Sequence, residues 1–300
     1  MCIQMKPIAK PFVKWAGGKS QILGDIRAKY PAGLGTAITK YAEPFVGGGA
    51  VLFDILRSYS LEEIYISDIN RNLIATYMAI RDNVDALISL LTTMQSNYWK
   101  CDEEARKSYY YEKRDRFNAL KTAKISDIEI AALFIFLNRT CFNGLYRVNA
   151  KGDYNVPMGS YKKPAICDAE NLKAVSYCLK CVQIVCGDYR QSRNFIDNNT
   201  FAYFDPPYRP LSQTSSFTAY AQDGFGDNEQ AELACFVDEL SEKGAFVVAS
   251  NSDPKNTNSD DGFFDKLYRK HTISRISANR IINSSASGRG KINELLIVSY

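Results

Sequence analysis

The four residues Asp205-Pro206-Pro207-Tyr208 close an apolar run, Phe201 to Phe204, and are of the types that could work on an amino group. Asp205 and Pro206 each precede a proline, which biases both toward extended dihedrals, and neither proline has an N–H to close a conventional turn. The Pro206 carbonyl can therefore face outward beside the Asp205 carboxylate, placing two acceptors at the end of a strand. An NH2 group conjugated with a purine ring is a weak nucleophile because its lone pair is delocalised. Hydrogen bonds from both its N–H groups to fixed acceptors favour a pyramidal nitrogen, whose lone pair can then attack an electrophilic methyl group. Tyr208 would stack on the base. The plainer reading of the same residues is a proline-rich surface turn.

A second constellation is Gly47-Gly48-Gly49 followed by Asp68. A dinucleotide fingerprint would need glycine at position 52, where Leu52 stands. What remains is a glycine-rich strand-to-helix turn with an acid at the end of the next strand. Such a turn lets a small adenosyl ligand approach the backbone and sets a carboxylate on ribose hydroxyls, although glycines of this kind also serve as simple turns. Gly17-Gly18-Lys19-Ser20 resembles half of a phosphate-binding P-loop, but Val13 occupies the place of the first glycine, which argues against a nucleotide triphosphate site.

These residues need elements to hold them. Tyr41 to Leu56 reads as strand, tight turn and helix, and Glu63 to Ser67 as the next strand. Helices are predicted from Arg71 to about Asn97, Ser108 to Leu120, Ile125 to Leu137 and Asp227 to Lys243. Val182 to Cys186, Phe201 to Phe204, Ala245 to Ser250 and the terminal ELLIVSY read as strands. Strands alternating with helices predict a doubly wound α/β sheet. The stretch 82–168 breaks that rhythm and reads as an inserted domain, helical and then a hairpin or ordered loop over Gly144 to Gly159, leaving 1–81 and 169–300 as the main domain. Ser212 to Gly226, polar and aromatic, suits a loop beside a site.

Composition narrows the class. With 46% apolar residues over 300 positions the chain can bury a core, and the longest apolar run, ending at Leu137, is far short of the ~20 residues of a membrane-spanning helix. No membrane association is expected. The net charge of +4 is small, but it is uneven. Lys266 to Lys291 holds seven basic residues and no acid, Arg139 to Lys163 holds five against Asp153, and Lys6, Lys10, Lys14 and Lys19 precede the first acid. Three such segments converging would suit a polyanion; singly each reads as a solvated face. Eight cysteines form no disulfide framework. Cys178 and Cys181, a C-x-x-C, are expected as buried thiols on a helix end and a strand, since the only histidine, His271, is remote and no metal site is expected. A reducing cytoplasm fits.

In order along the chain, FVKWAGGKSQIL, EPFVGGG, SDIN and FDPPYRPLSQTSSFTAY resemble the alpha-type DNA adenine N6-methyltransferases of the Dam and DpnII-methylase family, from Phe12 to Tyr300. The resemblance implies a doubly wound S-adenosyl-L-methionine-dependent methyltransferase sheet carrying an inserted target-recognition domain. It implies S-adenosyl-L-methionine as donor, held by Trp15, Lys19, Phe45, Gly47, Gly49, Asp68, Asp188, Tyr189 and Asp205, with Asp205, Pro206, Pro207 and Tyr208 catalytic. LNRTCFNGLYRVNAKGDYNVPMGSYKKP resembles the recognition hairpin of members that methylate adenine in GATC. By that match Phe142 and Asn143 help open double-stranded DNA, Leu145, Arg147 and Pro157 face bases, and Lys14 reaches the outer guanine; Arg139, Tyr161 and Lys162 are further DNA contacts. Ser160 departs from the family's usual arginine. The terminal SSASGRGKINELL resembles the backbone-binding end.

A base within a duplex cannot present its amine to a pocket, so base flipping is expected, at about a few kcal/mol. Phe142, or Phe217 and Tyr220, could fill the gap, although each aromatic taken singly is equally well a core residue. A monomer acting on DNA in the cytoplasm is the expectation, with a cognate restriction endonuclease left open. The alternatives are an RNA adenine N6-methyltransferase, disfavoured because A-form RNA closes its major groove to side chains, and a regulator that binds DNA without catalysis, disfavoured by the intact loops.

Overall fold

The structure, a computed structural model, describes residues 8–120, 128–209, 225–279 and 291–300. Among these, seven strands form one mixed sheet: β1 (Lys40–Glu43), β2 (Glu63–Asp68), β3 (Val182–Cys186), β4 (Thr200–Phe204), β5 (Phe246–Ser252), β6 (Thr272–Asn279) and β7 (Lys291–Val298), in the order β3-β2-β1-β4-β5-β7-β6. β1 is parallel to β2 and β4, and β4 to β5, while β7 runs antiparallel to β5 and β6. All five residues of β4 are buried, as expected of a parallel strand covered on both faces, and this is why it reads as an unbroken apolar run. The strand order reverses between β1 and β4. In open α/β sheets that switch point is where ligands bind, outside the carboxyl ends of the strands, and Asp205 begins the segment leaving β4.

The helices are α1 (Leu23–Arg27), α2 (Ala50–Ser58), α3 (Arg71–Lys100), α4 (Glu103–Ala119), α5 (Ile128–Thr140), α6 (Ala169–Leu179), α7 (Asp227–Glu242) and α8 (Phe263–Leu267). α4 starts five residues before the predicted Ser108. Its first turn is acidic and polar, so hydrophobic periodicity could not reveal it, and the start is set instead by Asp102, whose side chain accepts from the Ala105 N–H at 2.9 Å. α5 is buried on every side from Ile130 to Asn138, the pattern of a helix at the centre of a core. β6 was not foreseen. It pairs on one side only, and its apolar residues do not alternate.

The chain divides into two compact units. The first comprises the described residues of Met1–Gly18, Gly47–Ser58 and Ser67–Gly187, and the second those of Lys19–Val46, Tyr59–Ile66 and Asp188–Tyr300. The stretch 82–168 read as an insertion lies wholly inside the first unit. Its start falls beside a break in α3, where Asn83 leaves helical geometry at φ −140°, ψ 38°.

The segment Gly144 to Gly159 folds back on itself, but by isolated antiparallel bridges, Cys141 to Met158 and Val148 to Tyr154, rather than a continuous hairpin ladder. Its tip is a side-chain turn in which Asn149 Oδ1 accepts from the N–H groups of Lys151 and Asp153. The cysteines differ from expectation too. Cys181 is exposed in the turn between α6 and β3, and Cys178 and Cys186 are half-buried.

Candidate functional site

In the first unit the glycine turn runs from Gly47 into α2, with Gly47 at φ +49° and Gly49 at φ +74°, a region that glycine alone occupies without strain. Space forbids a side chain as well. A Cβ on Gly47 would lie 2.9 Å from the Trp15 ring, and one on Gly49 2.6 Å from the Tyr77 hydroxyl. The Gly47 N–H donates to Asp68 Oδ2 at 3.1 Å and the Asn70 N–H to Oδ1 at 2.8 Å. The Tyr77 hydroxyl donates to the Gly47 carbonyl at 3.0 Å. Burial pushes the Asp68 carboxyl up to about 6, against the opposing pull of the Asn70, Gly47 and Ile69 N–H groups. Two oxygens offer about four acceptor sites, so this carboxylate keeps capacity for a hydroxyl. Trp15 stacks on Tyr146 at 6.0 Å and 25°, and Asn72 donates to the Tyr146 hydroxyl at 3.1 Å. Beside Asp68, Ile69 is 69% exposed, an apolar side chain presented to solvent.

Also in the first unit, Asn138 at the end of α5 accepts from the Lys14 N–H at 2.8 Å and donates to the carbonyls of Lys14 and Gly144 at 2.8 and 2.9 Å. One buried amide thus ties the N-terminal segment to the start of the folded-back loop. Exposed around this tie are Lys14, Phe142, Asn143, Arg147, Pro157, Ser160 and Lys162, with Leu145 and Tyr161 half-buried. Lys14 Nζ lies 3.2 Å from the Tyr161 hydroxyl, and Asn143 takes the left-handed conformation at φ +55°. Arg147 donates to Asn155 Oδ1 at 2.7 Å rather than to Asp153. Arg139 stands apart. It is half-buried and donates to the Phe12 carbonyl at 2.8 Å, so the structure spends it on bracing the N-terminal segment.

The second unit holds the other set. Lys19 is only 3% exposed, and its ammonium lies 2.8 Å from Asp205 Oδ1, 2.8 Å from the Tyr208 hydroxyl and 3.8 Å from Glu294 Oε2. Burial works against its charge, but Asp205, Tyr208 and Glu294 together more than offset it, so the amine holds its proton more tightly than an ordinary lysine. Ser250 on β5 donates to Asp205 Oδ1 at 2.8 Å. Gln230 on α7 donates to the Pro207 carbonyl at 3.0 Å and accepts from Asn251 at 3.1 Å. The turn after β4 is thus anchored at Asp205, Pro207 and Tyr208, and no cis peptide is needed. Phe45 stacks on Tyr189 at 5.3 Å and 28°. Tyr189 is buried against Phe236, and Asp188 is engaged with Arg190, whose Nε lies 2.8 Å away.

Sequence reasoning missed Glu294, Ser250, Gln230, Asn138 and Tyr146. Only Asn138 left a signal, a polar side chain ending the apolar run of α5. The basic stretch before Lys291 is partly spent internally: Arg275 bonds Asp253 and Asp265, and Lys270 bonds Asp238, while Lys266 and Arg269 remain exposed. Phe217, Tyr220 and the SSASGRG segment lie outside the described residues. Among the described residues no helix is long and apolar enough to cross a membrane, and no cluster of metal-ligating side chains occurs.

Comparison with known proteins agrees with this chemistry. Residues 15–282 match the family model described as D12 class N6 adenine-specific DNA methyltransferase. The chain is 48% identical over 293 residues to the type II methyltransferase M.MjaIII of Methanocaldococcus jannaschii, covering 97% of this chain and 99% of that one. It is 34% identical to the DNA adenine methylase of Vibrio cholerae (96% and 95% covered) and 33% identical to that of Escherichia coli (96% and 94%). An acceptor-lined turn after β4, a glycine cradle with its carboxylate, and a match spanning nearly the whole chain lead to one conclusion: the chain belongs to the D12 class of N6 adenine-specific DNA methyltransferases.

Proposed function

We propose that the protein transfers a methyl group from S-adenosyl-L-methionine to N6 of adenine in GATC sites of double-stranded DNA, after flipping the target base out of the helix. The observation that carries the reading is the anchored Asp205 to Tyr208 turn, with its carboxylate at a strand end and its tyrosine on a buried lysine. The residues of the first unit fit the donor. Gly47 and Gly49 let the turn take a left-handed backbone close against Trp15 and Tyr77, a compact glycine turn of the kind an adenosyl ligand approaches, and Asp68 retains acceptor capacity for ribose hydroxyls. When bound, the donor supplies an electrophilic methyl group on a sulfonium. Asp205 and the Pro206 carbonyl accept hydrogen bonds donated by the two N–H groups of the adenine amine, leaving its lone pair free for the methyl group. Tyr208 supports the base, and before the base enters Lys19 holds Asp205 and Tyr208 together. The free cysteines among the described residues fit a reducing cytoplasm, and we read the active species as a monomer. The test is digestion of DNA from an expressing host with nucleases that distinguish methylated from unmethylated GATC. Full sensitivity to a nuclease blocked by adenine methylation would overturn the GATC assignment.

Asp68 gives this reading a pH signature. Its carboxyl titrates near 6 when folded, above its ordinary value of 3.8. The stability this group lends the fold is therefore fully present below about 3.8 and is lost as pH rises through about 6. Donor binding runs the opposite way, because only the carboxylate accepts from both backbone N–H groups and a ribose hydroxyl. Donor affinity should fall as pH drops below about 6. Asp68→Ala should weaken donor binding by about 10- to 100-fold, the equivalent of one charged hydrogen bond, and affect DNA binding less. Calorimetric titration of donor decides it; an unchanged dissociation constant ends the ribose assignment.

Arg147 is assigned the reading of one guanine. It is exposed, and Asn155 uses only part of its five-donor fork. Such a fork binds guanine O6 and N7 together. Arg147→Ala should cost about 1 to 3 kcal/mol at one base position and relax preference there, while Lys162→Ala should weaken binding to all sequences alike. Methylation of GATC and its single-base variants separates base reading from loop bracing. If the ranking of variants is unchanged, Arg147 reads no base.

A further inference from the structure

Glu294 stands in the second unit as an acid that the adenine chemistry outlined above does not use. It lies on β7 opposite Ser252 of β5 and Ile276 of β6, and its side chain is 13% exposed. Its Oε2 is buried and has no hydrogen-bond partner at normal distance among the described residues, although Lys19 and Tyr208 lie near enough to favour its ionised form. That oxygen lies 3.8 Å from Lys19 Nζ, whose nearer carboxylate partner is Asp205 Oδ1 at 2.8 Å. One buried ammonium therefore faces two carboxylates, close to one and within a small displacement of the other. A buried carboxylate oxygen whose nearest cation stands at 3.8 Å, with no close hydrogen bond, calls for a reason.

We propose that Glu294 is a positioning residue for methyl transfer: it is the second counter-ion to which Lys19 turns when Asp205 accepts the adenine amine. The inference rests on the adenine-methylating reading of this site. Lys19 and Ser250 occupy Oδ1 of Asp205 and leave Oδ2 for the amine, but an ammonium held at full strength draws electron density from the whole carboxylate and weakens Oδ2 as an acceptor. With Glu294 ionised, Lys19 moves toward it, keeps its charge compensated and keeps its bond to Tyr208. With Glu294 protonated or removed, Lys19 stays at full strength on Asp205, its other carboxylate among the described residues, and the amine meets a weaker acceptor. No proton or bond changes hands in this step; one ion pair lengthens and another shortens. Among the described residues the groups that act on the Glu294 carboxyl are Lys19, Asp205 and Tyr208, and burial holds it above the ordinary glutamate value.

The experiment is single-turnover methylation of a GATC duplex at saturating donor and DNA, across pH, for wild type, Glu294→Gln, Glu294→Asp and Asp205→Ala. Saturating donor keeps the titration of Asp68 out of the profile. Glu294→Gln should slow the chemical step about 10- to 100-fold, as a small misplacement at a reacting centre does, with the KM for donor and DNA little changed. The acid limb that follows Glu294 in wild type should disappear in Glu294→Gln and persist in Glu294→Asp. A Glu294→Gln enzyme with wild-type rate and profile overturns the proposal. So does one that is slower with the acid limb in place, since that is what mere structural damage would produce. Activity of wild type and inactivity of Asp205→Ala uphold the underlying reading whatever the Glu294 variants give.

Discussion

Asp205→Ala is expected to lower the single-turnover rate of adenine methylation by at least about 10²- to 10³-fold, the size seen when one donor or acceptor that stabilises developing charge is removed. Lys19 and Ser250 both engage Oδ1, which leaves Oδ2 to accept an amine N–H. The backbone around Asp205 is held independently through Pro207 and Gln230, so the truncation should not unravel the turn. DNA affinity should be nearly unchanged, because few phosphate contacts originate here. Asp205→Asn should keep part of the rate, since its amide oxygen still accepts. Unimpaired turnover by Asp205→Ala, measured on a duplex to which it demonstrably binds, would remove the catalytic assignment.

Lys19→Met should be among the most destabilising single changes in the second unit. The lysine is almost wholly buried and lies between Asp205 and Glu294. Methionine fills similar volume but leaves two carboxylates of like charge in a poorly solvated place without a cation. Breaking a buried pair by removing one partner costs about 3–5 kcal/mol, a large part of a typical net stability. Urea unfolding at neutral pH is the measurement, and a loss below about 1 kcal/mol would show that the buried ion pair contributes little. The deficit should shrink as pH is lowered, because protonating Glu294 discharges one of the stranded carboxylates. Glu294→Gln placed on Lys19→Met should recover part of the loss, and this double-mutant cycle isolates the coupling between the two residues.

Much of this protein was legible in its residues alone. The apolar run of β4 ending in Asp-Pro-Pro-Tyr, the glycine triplet before α2 and the acid ending β2 are local signals, because each depends on dihedral preference or burial periodicity within a few residues. Those same motifs carried the family resemblance, which the comparisons bear out. Element ends moved where caps rather than apolar periodicity decide them, as at Asp102 before α4. Tertiary structure alone decided which distant groups share a site. Lys19 reads in sequence as half of a phosphate loop, yet it is buried on Asp205 and Tyr208, nearly two hundred residues away. Glu294 reads as one polar residue in a terminal strand. Its place beside Lys19 follows from β7 running antiparallel between β5 and β6, a pairing that no local pattern encodes, because strand partners are chosen by the whole sheet. Arg139 reads as one more cation in a basic patch, and only the fold turns it inward onto the Phe12 carbonyl. Charge is a property of sequence, but which charges face a partner and which neutralise each other is settled by burial and proximity, and these exist only once the chain has folded.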